Sequence, residues 1–133
     1  MPSRNQIQKL LLDAAMMVVT KYQMGLKVTL KELSEGIFDC DEKDIDPYAK
    51  VSLNALIYDY DKYVATICKY LRGWMFVRLP DLTKAILIMS LIHHQIEPQL
   101  DKAVIINIAV KFSKTYGEDG DFKFINGVLE NAI

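Results

Sequence analysis

Apolar side chains recur at intervals of three and four residues along almost the whole chain, and this spacing predicts helices throughout. The first buried stripe comprises Ile7, Leu11, Ala14, Val18 and Tyr22. Gly25 follows it at a position typical of a helix end. Thr29 and Glu32 have the spacing of a capping box, which opens a short second helix. Because no segment alternates like a strand, we predict an all-α fold, a compact bundle of about six to seven helices.

The middle of the chain predicts one long helix over residues 48–71, where the apolar stripe is continuous. Residues 39–47, just before it, are acidic and have no apolar stripe, which is typical of a solvated loop. Gly73 is expected to end or bend the long helix, and residues 74–79 are expected to continue in a helical form.

Three further helices are predicted in the second half of the chain. The first begins at Pro80, since proline suits a first turn, and runs to about Gln95. The second begins at Asp101 and is apolar around most of its circumference, which predicts a place at the centre of the bundle. The third begins near Asp119, and its glycine, Gly127, predicts a close approach to another helix. The side chains expected to face inward on this last helix are Phe122, Ile125, Val128 and Leu129.

Length and composition favour one small intracellular domain. The chain has 133 residues, the length of a single domain, and we expect residues 1–133 to fold as one unit. Its two cysteines, Cys40 and Cys68, form no CxxC motif, which favours a reduced, cytoplasmic setting over a secreted disulfide framework. The longest apolar run, residues 85–92, is much shorter than the ~20 residues that span a bilayer, so no membrane association is expected.

Charge is distributed unevenly along the chain. Residues 1–31 carry five basic side chains and one acidic side chain, whereas residues 32–61 carry nine acidic and two basic ones. The N-terminal surplus allows a local site for a polyanion. The overall net charge of -1 differs from the basic surplus of a dedicated nucleic-acid-binding domain.

Sequence motifs for catalysis and metal binding are missing. The chain has no GxSxG, HExxH, P-loop or GxGxxG motif. His93 and His94 diverge by about 100° on a helix and cannot share a metal by themselves, so we expect one packed or interfacial histidine and one solvated histidine. An EF-hand starting at Asp39 would need glutamate where Lys50 stands. We therefore predict a binding protein that is not an enzyme, with no metal and no cofactor.

A group of tyrosines allows two interpretations. The group consists of Tyr58, Tyr60, Tyr63 and Tyr70. Such side chains could form a stacking surface for bases. Clusters of this kind more often pack between helices, and we favour packing.

The run from Val104 to Leu129 carries a specific motif. It reads V-I-I-N-I-A-V-K-F-S-K-T-Y-G-E-D-G-D-F-K-F-I-N-G-V-L. This run resembles the C-terminal signature of the NusB family of transcription antitermination factors, approximately V-A-I-N-E-A-(V/I)-E-L-A-K-x-(F/Y)-G followed by K-F-(V/I)-N-G-V-L-D. The positions that match in register are Val104, Ile106, Asn107, Ala109, Lys114, Tyr116, Gly117, Lys123, Phe124, Asn126, Gly127, Val128 and Leu129. The similarity covers about residues 79–133 and implies a NusB-like fold.

The resemblance implies a function in transcription antitermination and rRNA synthesis. Members of the family bind a single-stranded RNA element of the boxA type together with a small ribosomal protein, NusE, within a transcription complex. Their RNA contacts use a basic N-terminal segment and the K-F-(V/I)-N-G region. Carried onto this chain, the resemblance implies RNA contacts by Arg4, Lys9, Lys123 and Phe124.

Phe124 also has a physical reason to contact RNA. It projects from a different part of the helical turn than the inward-facing residues around it. An aromatic ring beside a lysine can stack on a base while the lysine, here Lys123, binds a phosphate.

This chain departs from the family pattern at positions that suggest an alternative function. Its N-terminal basic cluster is reduced to Arg4 and Lys9, and Asp121 adds a negative charge near the motif. Ile88 and Ile108 stand where the family has polar side chains, and together they predict an exposed apolar patch. The alternative is a NusB-fold protein-interaction or oligomerisation module, such as a homodimer, that has lost RNA binding.

Overall fold

The computed structural model describes residues 2–133, and every regular element within them is helical. Seven α-helices follow one another in this range: α1 (Arg4–Gln23), α2 (Leu30–Gly36), α3 (Pro47–Tyr58), α4 (Tyr60–Cys68), α5 (Asp81–Ile96), α6 (Lys102–Tyr116) and α7 (Asp121–Ala132). Two short 3₁₀ helices lie at Glu42–Asp44 and Phe76–Arg78. The predicted all-α class and number of helices are confirmed.

Local capping fixes both ends of α1. The hydroxyl of Ser3 accepts a hydrogen bond from the backbone N–H of Gln6, and the Gln6 side chain accepts one from the backbone N–H of Ser3. This reciprocal pair is a capping box, which satisfies two N–H groups that the helix itself leaves unpaired. After the last turn, Gly25 has a φ of +77°, so the predicted glycine at the helix end is confirmed.

The single helix predicted over residues 48–71 is wrong, because the chain breaks at Asp59 into α3 and α4. Asp59 has φ -115° and ψ 17°, outside the helical region. The carbonyl of Ile57 accepts a hydrogen bond from the hydroxyl of Tyr22 at 2.9 Å, where a continuous helix would use its own N–H. The buried side chains on both sides of the break keep their spacing, so periodicity alone does not reveal it.

The connections before and after this pair of helices are mostly irregular. The expected acidic loop covers residues 39–46, with one 3₁₀ turn, because Pro47 already belongs to α3. At its end the carboxylate of Asp46 accepts the backbone N–H of Tyr48 at 2.9 Å and caps α3. Residues 74–79, expected to be helical, contain only the second 3₁₀ turn.

The centre of the bundle is α5, and the prediction that the helix after Asp101 lies there is wrong. Ten of the sixteen residues of α5 are buried, and the helix packs against α1, α3, α4, α6 and α7. In α6 the buried set is smaller, and Val104 on its outer side is exposed. The buried side chains of Lys84 and Ser90 on α5 have hydrogen-bond partners inside the protein, so the composition of this helix conceals its burial. Neither α5 nor any other helix among the described residues is long and apolar enough to cross a membrane.

Burial of Ile88 corrects the predicted apolar patch. Ile88 lies in the middle of α5 and its side chain is 0% exposed, so it belongs to the core. Ile108 on α6 is partly exposed. The two side chains therefore do not form the joint surface patch expected from the sequence, because Ile88 is enclosed in the core.

The last helix, α7, is only partly as predicted. Ile125, Val128 and Leu129 are buried, as expected, but Phe122 is only partly buried and lies under the ammonium group of Lys114. Gly127 is exposed, and a Cβ built there would have no neighbour within 4 Å. The expected close approach of another helix at Gly127 is therefore wrong.

The tyrosine group divides between core and surface. Tyr60 and Tyr63 are buried between helices, which confirms the packing interpretation for these two. Tyr58 is exposed, and Tyr70 is partly buried. Only Tyr70 lines the groove described next.

Candidate nucleic-acid interface

A shallow groove lies between α7 and the segment that follows α4, and we call it the aromatic groove. It is lined by Tyr70, Arg72, Trp74, Lys123, Phe124, Gly127, Val128 and Asn131. Three of these eight residues are aromatic and two are basic, and none is acidic. This combination suits single-stranded nucleic acid, which offers flat bases and negative phosphates.

Phe124 is the aromatic side chain that α7 contributes. It is partly buried, and its ring meets that of Trp74 edge to face, with centroids 5.5 Å apart and planes inclined by 66°. Such a pair is favourable and fixes the orientation of both rings. Lys123, the preceding residue, is exposed at the same turn. The structure therefore brings Lys123 and Phe124, both predicted from the sequence, into one groove.

The segment after α4 supplies residues that the sequence interpretation missed. Leu71 is buried and anchors the segment, while the backbone N–H of Trp74 donates to the Leu71 carbonyl at 3.3 Å. Gly73, between them, has a φ of +76°, and the turn directs the chain outward. Trp74 is 60% exposed as a result. The sequence feature that could have pointed to these residues is the lone tryptophan, close to Arg72 and next to a predicted helix break.

Lys84 holds the other side of this segment. Its side chain is almost fully buried, and its ammonium group donates to the backbone carbonyl of Val77 at 3.3 Å and to the side-chain oxygen of Gln23. Asp81 lies 3.5 Å away and balances the charge. A buried ammonium group needs such partners, so Lys84 fastens the segment to the ends of α1 and α5.

Lys9 lies in a second groove, between α1 and α6, that we call the α1–α6 groove. It is lined by Asn5, Gln8, Lys9, Ile108, Lys111, Phe112, Thr115 and Tyr116. The ammonium group of Lys9 pairs with Asp13 at 2.7 Å and lies 5.0 Å from the centroid of the Tyr116 ring. Lys9 and Ile108, predicted for different roles, thus share one surface.

Arg4 is not brought together with Lys123 and Phe124. Its guanidinium donates to the carboxylate of Glu97 at 2.9 Å and lies 3.7 Å from the centroid of the Tyr48 ring. Glu97 is at the carboxyl end of α5, whereas the aromatic groove adjoins the segment that leads into its amino end. A helix of this length spans about 24 Å. Arg4 is therefore remote from the aromatic groove and already paired.

The full chain, residues 1–133, matches the family model described as the NusB family. The chain belongs to the NusB family. The expectation drawn from the C-terminal motif is confirmed.

Individual NusB relatives agree with this assignment. A transcription antitermination protein NusB from Lysinibacillus sphaericus is 35% identical over 65 residues, which are 49% of this chain and 51% of that protein. Another from Limosilactobacillus reuteri is 30% identical over 118 residues, 88% of this chain and 86% of that protein. The alignment with the first relative thus spans about half of its length, and that with the second most of it.

A solved structure of NusB from T. maritima has the same fold. It superposes with a TM-score of 0.80, covering 98% of this chain and 90% of that chain, at 21% sequence identity. This likeness confirms the predicted NusB-like bundle. It also places the aromatic groove and the α1–α6 groove on a NusB framework.

His93 belongs to the cluster that holds Arg4 on this framework. The carboxylate oxygen of Glu97 that accepts from Arg4 also lies 3.1 Å from Nε2 of His93, and the His93 ring meets Tyr48 edge to face. Burial lowers the pKa of His93 below its ordinary value, and this effect outweighs the opposite influence of Glu97. His93 is thus the packed histidine of the predicted pair, whereas the expectation of a solvated partner is wrong, because His94 is partly buried and its Nδ1 is fully buried. Within residues 2–133, no three His, Cys, Asp or Glu side chains are grouped to hold a metal ion.

We expect the stability of the protein to depend on pH through His93. The unfolded chain takes up a proton at the ordinary histidine pKa of 6.5, whereas the folded chain resists protonation to lower pH. The free energy of unfolding should therefore decrease as the pH falls from about 7.5 through the ordinary histidine pKa. Urea denaturation at a series of pH values measures this. His93→Gln should weaken the dependence, and an undiminished dependence in this variant would contradict the assignment.

Proposed function

We propose that this chain is a cytoplasmic, non-enzymatic RNA- and protein-binding factor that acts in transcription antitermination and rRNA synthesis. Its relatives carry the name transcription antitermination protein NusB. The observation that carries the proposal is the aromatic groove, where Phe124 and Lys123 lie together among side chains of which none is acidic. The proposed ligand is a single-stranded RNA element of the boxA type.

In the proposed complex, Phe124 stacks on a base and Lys123 binds a neighbouring phosphate. The edge-to-face contact with Trp74 holds the Phe124 ring in one orientation, so little ordering is needed when a base arrives. A stacked base on an aromatic side chain contributes about 1–3 kcal/mol, whichever base it is. The lysine adds an attraction that depends on salt.

Gly127 gives the RNA backbone room beside Phe124. It lies one helical turn after Lys123, lines the same groove and leaves open space where a side chain would project. Glycine in a helix costs about 1 kcal/mol relative to alanine. Open access to the α7 backbone is the property that glycine supplies here.

An exposed apolar surface near the groove is the proposed site for the ribosomal protein partner of the NusE type. Met24 and Val77 are each 68% exposed, and Met75 is 60% exposed. The hydrogen bonds of Lys84 to Gln23 and to the Val77 carbonyl bring the end of α1 next to this segment. Exposed apolar side chains grouped in this way are typical of protein interfaces. RNA and partner would then bind on adjoining surfaces.

The α1–α6 groove is the proposed extension of the RNA path. Lys9 and Lys111 line it beside the exposed ring of Tyr116. Ile108 lies at its apolar end and is the remaining member of the predicted partner or dimer interface. The alternative function without RNA has no separate support, since Ile88 is buried.

Salt dependence tests the proposed RNA binding. Electrophoretic shift assays with a boxA-like RNA, with and without the NusE-type partner, should show affinity that falls as salt rises. Each phosphate neutralised in a single strand contributes about 0.7 to the slope of log affinity against log salt. Lys123→Gln should lower the affinity and reduce the slope by about this amount.

Lys50→Gln is the matched control for this assay. Lys50 is exposed on α3 and lies outside both grooves, so its loss changes the net charge equally without removing a proposed contact. Equal losses of RNA affinity for Lys123→Gln and Lys50→Gln would show that RNA binding depends only on the overall charge of the protein. Absence of any binding, with or without the partner, would refute the proposed function.

A further inference from the structure

Trp74 is exposed although the fold holds it firmly. It is the single tryptophan of the chain and is 60% exposed. The buried Leu71 anchors the segment before it, and the hydrogen bond from Lys84 to the Val77 carbonyl anchors the segment after it. Its exposure is therefore a fixed feature of the surface.

The geometry of the two rings determines what they can accept. Each of the two rings has two faces. Because Trp74 and Phe124 meet edge to face, their contact covers at most one of these four faces. The planes are inclined by 66°, so bases stacked on the two rings would be turned by a similar angle from each other. Two such bases cannot remain stacked together. A duplex, whose neighbouring bases are parallel, is excluded from using both rings at once.

The charges around Trp74 favour nucleic acid over a protein ligand. Arg72 is exposed two residues before it, and Lys123 precedes Phe124 on the facing helix. Each ring thus has a cation nearby, and the groove has no carboxylate that would repel a phosphate. An arginine can bind a phosphate with two parallel hydrogen bonds.

We infer that Trp74 and Arg72 form a second nucleotide subsite next to the one at Phe124 and Lys123. A base stacks on the exposed face of Trp74 and its phosphate binds Arg72, so the ligand is a single strand splayed at this step. This inference rests on the proposed RNA-binding function and adds a second subsite to it.

The fluorescence of Trp74 reports directly on this subsite, since the chain has no other tryptophan. Titration of the native protein with a boxA-like RNA, and separately with an unstructured oligouridine, should quench the tryptophan emission in parallel with RNA binding followed by anisotropy. The same RNA annealed to its complement should quench much less. Trp74→Ala should weaken RNA binding by about 5- to 150-fold. Trp74→Phe, which keeps a ring, should retain more of the affinity, and Arg72→Gln should weaken binding while leaving the fold intact.

The outcomes separate this inference from the proposed function. If RNA binds and Phe124→Ala weakens it, but Trp74 emission is unchanged and Trp74→Ala binds like the native protein, the second subsite is refuted while the function stands. If the emission responds to the NusE-type partner and not to RNA, Trp74 belongs to the protein interface and the inference is also refuted. If no RNA binds under any condition, the proposed function itself fails. Thermal unfolding of each variant shows that altered binding does not reflect altered folding.

Discussion

Replacing Ile88 by alanine is expected to lower the free energy of unfolding by about 2–5 kcal/mol. The side chain is fully buried in the middle of α5, which packs against five other helices. Its removal leaves a cavity that the surrounding helices cannot fill without moving together, so the lost packing adds to the lost transfer free energy. Urea denaturation followed by circular dichroism measures the change.

Ile108→Ala is the matched control for this prediction. It removes the same atoms from a partly exposed position on α6, at the edge of the α1–α6 groove. The decrease in the free energy of unfolding should be clearly smaller for this variant, since part of the Ile108 side chain already contacts water. If Ile108→Ala lowers the free energy of unfolding as much as Ile88→Ala, or more, the placement of α5 at the centre of the bundle is contradicted.

Replacing Phe124 by alanine is expected to weaken binding of a boxA-like RNA by about 1–3 kcal/mol, or about 5- to 150-fold. The stacked base loses its aromatic surface, and the Trp74 ring loses the edge-to-face contact that orients it. Anisotropy titration at one fixed salt concentration measures the affinity. Phe124→Leu keeps most of the apolar volume and should still lose most of the stacking contribution.

Phe122→Ala provides the control for Phe124. Phe122 is an aromatic residue of the same helical turn and is also partly buried, but it lies under Lys114 and outside the aromatic groove. Its replacement should leave RNA affinity nearly unchanged. If Phe122→Ala weakens binding as much as Phe124→Ala, the effect comes from the stability of α7 and not from stacking.

Periodicity in the sequence predicts the helices well and their mutual arrangement poorly. The apolar stripes identify most of the helices, because burial of one face imposes a fixed spacing. The break at Asp59 leaves no trace in that spacing. The central place of α5 is hidden because Lys84 and His93 are buried against residues distant in sequence, Gln23 and Tyr48, which composition cannot reveal.

Only part of the candidate RNA-binding site could be predicted from the sequence. Lys123 and Phe124 follow from the C-terminal motif, since adjacent residues stay together in any fold. Trp74 and Arg72 come from a segment far away in sequence and join the groove only through tertiary packing. Arg4 looked available from local composition, and its pairing with Glu97 appears only once α1 and α5 are placed side by side.

The most direct test of RNA binding in the aromatic groove is a nuclear magnetic resonance titration of the nitrogen-labelled protein with a boxA-like RNA. The backbone amides that shift most should be those of residues 70–74 and 123–127, with smaller shifts along the α1–α6 groove. Shifts confined to other surfaces, or none at all with the NusE-type partner present, would contradict the account.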